Sequence, residues 1–148
     1  MPPAVATDHR TEMQSVWNDG WIYKGLTTAV RLLRRLDHPL AAEMDSEAGD
    51  YRRAFVRAFR AKAETMPTWR DASGREHRFV PLGFLGVTGR DLRHAFYIDT
   101  GPLFLVFSGL LGVEDDLMES ALKWFREGPP TRMYRHDTDF RQLPSLFH

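Results

Sequence analysis

With 148 residues, 20 basic and 20 acidic side chains and 43% hydrophobic content, the chain has the composition of an ordinary soluble globular protein of one domain or part of one. Its balanced charge gives no general electrostatic pull towards nucleic acid or an anionic membrane, leaving only local patches. The absence of cysteine excludes a disulfide scaffold and thiolate chemistry.

The opening MPPAVATDHR lacks the basic and apolar regions of a secretory signal, which makes the cytoplasm the expected compartment. A first helix is expected from about Glu12 to Leu36, where Val16, Trp17, Ile22, Tyr23, Leu26, Ala29, Val30 and Leu33 recur at near-helical spacing. Gly20 and Gly25 weaken its first half. The break at Asp37-His38-Pro39 then permits a second helix from Leu40 to about Ala63, since proline is tolerated around a first turn. Met44, Ala48, Tyr51, Phe55, Ala58, Phe59 and Lys62 mark one stripe of it, with Arg53, Arg57 and Arg60 opposite.

Between Glu64 and about Phe96 the pattern is irregular, punctuated by Pro67, Gly74, Pro81, Gly83, Gly86 and Gly89, with strand-like residues near 78–81. A third helix is expected within FYIDTGPLFLVFSGLL, starting at Asp99 or Thr100 and ending near Leu111, with Gly112 as its C-cap. Its apolar run stops at Val113, well short of the roughly 20 residues that span a bilayer. A fourth helix follows to about Glu127, carrying Leu117, Ala121, Leu122, Trp124 and Phe125 on one side, and Gly128-Pro129-Pro130 ends it.

Short connections within each helix pair force antiparallel hairpins, one over about 12–63 and one over 99–127. A loop as long as 64–98 is uncommon without a function of its own, and 128–148 forms a C-terminal loop. The third helix has no polar face, so it needs neighbours on every side. Two hairpins cannot supply them, and the expectation is one partial domain over 1–148 that relies on further hairpins or on self-association.

Three stretches, WNDGWIYKGLTTAVRLLRRL, HPLAAEMDSEAGDYRRAFVRAF and FYIDTGPLFLVFSGLLGVEDDLMESALKWFREGPP, resemble the six-hairpin glycosidases. That resemblance covers about half the chain and rests on texture and hairpin rhythm. It implies an all-α fold forming part of an α/α toroid of inner and outer helices, with loops at the inner-helix N-termini lining a sugar cleft. It further implies a carbohydrate substrate and cleavage of a glycosidic bond, with no cofactor.

Glycoside hydrolysis usually takes two carboxyl groups, one of which protonates the leaving oxygen. Asp19 and Asp99 stand nearest the starts of the two broadly apolar helices and are the catalytic candidates; each is also placed as a turn or cap acid. Trp17, Trp21, Trp69, Tyr97 and Tyr134 are the candidate platforms for the apolar faces of sugar rings, joined by Arg70 beside Trp69 and by His94. Trp124 belongs to the core stripe of the fourth helix. His77, His94 and His136 lack the paired spacing of zinc motifs, so no metal is expected.

Two rival readings stay open. YRRAFVRAFRAK interleaves aromatic and basic residues as a surface for nucleic acid, an acidic peptide or a membrane does, although a solvated outer face is the plainer account. A scaffold of helical repeats that binds protein partners is the other, but its connections would be uniformly short, whereas here short and long ones alternate.

Overall fold

The computed structural model describes residues 4–5, 12–85 and 102–127, and these residues are mostly helical. Strands β1 (Ala4–Val5) and β2 (Glu12–Met13) form a small antiparallel pair. Because Glu12 and Met13 are drawn into that pairing, helix α1 begins later than expected and covers Val16–Arg35. Ser15 is its N-cap, with extended backbone and a side-chain oxygen accepting from the Trp17 N–H at 3.2 Å, which satisfies one of the free amides of the first turn.

Asp37 adopts a left-handed backbone (φ 48°), a conformation that short polar side chains tolerate, and the chain reverses there into helix α2 (Ala41–Glu64). The two helices pack antiparallel. Arg34 near the end of α1 pairs with Asp45 near the start of α2 at 2.6 Å, while the Tyr23 and Tyr51 rings stack 6.1 Å apart. The buried stripe of α2 is Ala48, Phe55, Phe59 and Ala63, close to the expected one. Phe59 is fully enclosed, a burial that contributes about 1.5–3 kcal/mol.

The long connection is less irregular than its composition implies. Strands β3 (Thr68–Arg70) and β4 (Glu76–Arg78) form an antiparallel hairpin in the register Thr68↔Arg78, Trp69↔His77 and Arg70↔Glu76. The strand therefore lies upstream of the expected 78–81. Phe79, Val80 and Leu82 instead enter the core with Val16, Phe55, Phe59, Leu105 and Trp124.

Helix α3 covers Pro102–Ser108 and packs against both α1 and the last helix. It ends before the expected Leu111 because Gly109 turns left-handed (φ 85°), a conformation natural to glycine. The Ser108 hydroxyl fixes that end by donating to the Leu105 carbonyl at 3.0 Å and accepting from the Leu110 N–H at 3.3 Å. Its neighbours do not enclose it: Phe107 is 57% exposed. Helix α4 (Asp116–Glu127) starts where Asp115 caps it, one carboxylate oxygen accepting from the Leu117 N–H at 3.1 Å. The other oxygen of Asp115 accepts from Arg60 of α2 at 2.7 Å.

Candidate functional site

Helical spacing separates the candidate residues of α1 into two faces. Positions two apart on a helix point in nearly opposite directions, so Trp17 and Trp21 lie away from Asp19. The two tryptophans meet edge to face at 5.9 Å and pack on Phe104, which in turn touches Phe107. Both stay partly exposed, Trp17 at 38% and Trp21 at 48%. Gly20 permits this approach of α3, since a Cβ there would stand 2.5 Å from the Phe104 ring.

Asp19 faces inward and is 3% exposed. The Tyr51 hydroxyl donates to its Oδ1 at 2.7 Å, and its Oδ2 is buried without a hydrogen-bond partner. Burial pushes the Asp19 pKa up, and the bond from Tyr51 only partly offsets this. Burial also pushes the Tyr51 phenol up, reinforced by the neighbouring carboxylate. Tyr51 therefore stays protonated and acts as a fixed donor.

The pair lies at a cavity of about 430 Å³ between the two long helices. Tyr51, Ala54, Phe55 and Ala58 of α2 form one wall, and Phe84 and Leu85 form another, with Gln14 at the edge. Apolar walls with a few convergent polar groups are the usual composition of a small-molecule pocket. Among the described lining residues there is one carboxyl group and no lysine, arginine or histidine.

Trp69 and Arg70 stand elsewhere. Trp69 is 6% exposed and stacked on the His77 ring at 4.9 Å, while the exposed Arg70 donates to the Gly74 carbonyl and to Glu76. Beside them, Asp71 organises the hairpin turn. Its Oδ1 accepts from the Ser73 N–H at 2.9 Å, the Ser73 hydroxyl at 2.6 Å and the Arg75 N–H at 2.9 Å. Its Oδ2 lies 2.8 Å from His77 Nε2 and 3.1 Å from Lys123 Nζ of α4. The Ser73 bonds, followed by that from His77, hold its pKa well below the ordinary carboxylate range. Every acceptor position of this carboxylate is used, which makes it a structural tie.

Asp99, His94, Tyr97 and Tyr134 lie outside the described residues. Of the candidates that are described, Asp19 borders the cavity alone, Trp17 and Trp21 share one surface, and Trp69 and Arg70 share the hairpin. Tyr51 and Phe84 were missed as site members. Tyr51 reads in sequence as one more member of the α2 stripe, and Phe84 as loop. No group of three histidines or acids among the described residues could hold a metal ion, and no described helix is long and apolar enough to cross a membrane.

The basic face of α2 is partly engaged. Arg53 pairs with Asp50, Arg60 bridges to Asp115 and Asp116, and Arg52 donates to the Gly109 and Leu110 carbonyls. The fold and site thus define a mainly helical chain with a carboxyl–tyrosine pair over an apolar cavity. Comparison with protein-family models, curated proteins and solved structures gives no match.

Proposed function

We propose that the cavity between α1 and α2 binds a small organic molecule that lays an apolar body on Phe55 and Phe84 and offers one polar group to Asp19. The carrying observation is the buried Asp19 Oδ2, which has no partner beside a cavity that Asp19 itself lines. A buried polar atom left unpaired costs about 1–3 kcal/mol, and a ligand that completes it recovers that cost. Titration with aromatic fragments, followed by NMR at the Tyr51 and Phe84 rings, tests this. Shifts confined to the cavity residues support a site there; fragments that perturb only the Trp17–Phe107 surface overturn it.

A second reading, glycosidic hydrolysis by part of an α/α toroid, is favoured by one observation: the raised pKa of Asp19. An upward shift is the direction that proton donation to the leaving oxygen of a glycoside requires. Asp99 is the second carboxyl group in that reading. Release of nitrophenol from a panel of nitrophenyl glycosides tests it. Turnover reduced about 10²-fold or more by Asp19→Asn supports a proton-donor role, and turnover indifferent to that change removes Asp19 from the chemistry.

A further inference from the structure

The charge of the cavity lining narrows the ligand class, an inference that rests on Asp19 anchoring a small molecule there. Four features combine. The lining holds a single carboxyl group and, among its described residues, no cationic side chain. Tyr51 satisfies one oxygen of that carboxyl group and leaves the other without a donor. Tyr51 donates only one proton and is oriented by that bond, so it cannot supply a second. Apart from the neutral Gln14 at the edge, the remaining walls are aromatic or aliphatic, with Phe84 set edge-on to Phe55 at 5.7 Å.

A buried carboxylate is stabilised when a positive charge with hydrogens to donate is placed beside it. Everywhere else in the described structure the buried acids have such a partner: Asp71 has Lys123, and the largely buried side chain of Asp115 has Arg60. Asp19 has no such side chain among the described residues, and the positive charge that acts on it, that of the amino terminus, has a smaller effect than the Tyr51 bond. Aromatic walls favour the same sign of charge, because ring faces attract cations, and they favour an apolar body behind it. Oδ2 is buried in this structure, so contact with an occupant requires a turn about the Asp19 χ2 angle, a soft torsion, to bring it to the cavity that Asp19 lines.

We infer that the natural occupant is a monocation with an apolar body, an alkyl- or arylalkylamine, whose ammonium group donates to Asp19 while its hydrocarbon part rests on Phe55 and Phe84. The charge-assisted bond supplies the affinity, and a cavity of about 430 Å³ has room for a small organic body.

Three probes of matched shape test this on the full chain: phenethylamine, 2-phenylethanol and 3-phenylpropionate, each titrated by NMR at the Tyr51 and Phe84 rings. Phenethylamine is expected to bind about tenfold or more tightly than the alcohol, the scale of a charged over a neutral hydrogen bond, and the propionate most weakly. Asp19→Asn, whose amide oxygen still accepts from Tyr51, is expected to erase the preference for the amine. An alcohol that binds as tightly as the amine overturns the inference about charge and leaves the cavity a ligand site. A preference for the propionate overturns it likewise, and the wild-type comparison decides even where the variant folds poorly. Failure of all three probes to perturb either ring overturns the site along with the inference.

Discussion

The Tyr51 hydroxyl donates to Asp19 Oδ1 over 2.7 Å, so one buried bond joins the first turn of α1 to the middle of α2. That bond favours the ionised form of Asp19 and opposes the effect of burial. Tyr51→Phe is therefore expected to raise the Asp19 pKa further. It also leaves a buried acceptor without its donor, at a cost of about 1–3 kcal/mol. Titration of the Asp19 carboxyl carbon by NMR checks the first effect and chemical denaturation the second. An Asp19 pKa that falls in the variant contradicts the assignment.

Asp71 and Asp19 respond to pH in opposite directions. The folded state holds the Asp71 pKa low through Ser73 and His77, with Lys123 and the Arg75 N–H also facing it. Its contribution to stability is present above the unfolded value of about 3.9 and is lost as pH falls through the folded one. Asp71→Asn places amide hydrogens against His77 and Lys123, so the variant is expected to be less stable at pH 7, with the deficit shrinking in acid. For Asp19 the folded pKa is raised, so its contribution is complete below the unfolded value and is lost as pH rises through the folded one. Asp19→Asn, which cannot ionise, is expected to gain on the wild type as pH rises. Denaturation midpoints at several pH values separate the two trends.

Two glycines of α1 are expected to answer alanine differently. At Gly25 nothing stands within 4 Å of an added Cβ, so Gly25→Ala gains about 1 kcal/mol of helix propensity and raises Tm. At Gly20 the added Cβ would sit 2.5 Å from one Phe104 ring atom and 2.9 Å from another. Overpacking there costs about 1–3 kcal/mol, which outweighs the same gain, so Gly20→Ala lowers Tm. Thermal unfolding of the two variants side by side is the measurement, and a stabilised Gly20→Ala refutes the close packing of α3 on α1.

Neighbouring aspartates at the start of α4 are expected to differ just as clearly. Asp115 both caps the helix and binds Arg60, with its side chain 12% exposed, whereas the Asp116 side chain is 75% exposed. Asp115→Ala loses a cap worth about 0.5–2 kcal/mol together with a shielded ion pair. Asp116→Ala loses an exposed pair worth about 0–1 kcal/mol. Denaturation midpoints in which Asp116→Ala is the more damaging would reverse this ranking.

The helices were legible in the sequence because their apolar residues repeat at helical spacing. The Asp37-His38-Pro39 break and the stripe through Phe55 and Phe59 placed α2 to within one residue at either end. The ends that moved did so for local reasons: Ser15 captured the start of α1, and Gly109 cut α3 short. The β3–β4 hairpin was signalled by Asp71-Ala72-Ser73-Gly74, a turn sequence between two three-residue runs, but proline and glycine on either side obscured it. Asp19 was found by its place near a helix start. Its bond to Tyr51 was not, because a tyrosine within an apolar stripe shows no sign of which way its hydroxyl points. Phe84 could not be read as part of the site, since only tertiary contact brings it there.

Phe84 reaches the cavity on neither helix. It is held by a strip of three backbone bonds: Val16 N–H to the Leu82 carbonyl at 2.9 Å, Phe84 N–H to the Gln14 carbonyl at 2.9 Å and Gln14 N–H to the Leu85 carbonyl at 3.2 Å. So short a ladder opens at lower free energy than a helix of five or more turns. The Phe84 amide should accordingly exchange its hydrogen for deuterium well before the Phe55 amide in α2. An occupant resting on the Phe84 ring would hold that strip closed and slow its exchange. Deuterium uptake at this one amide thus reports filling of the cavity by any compound, whatever its charge.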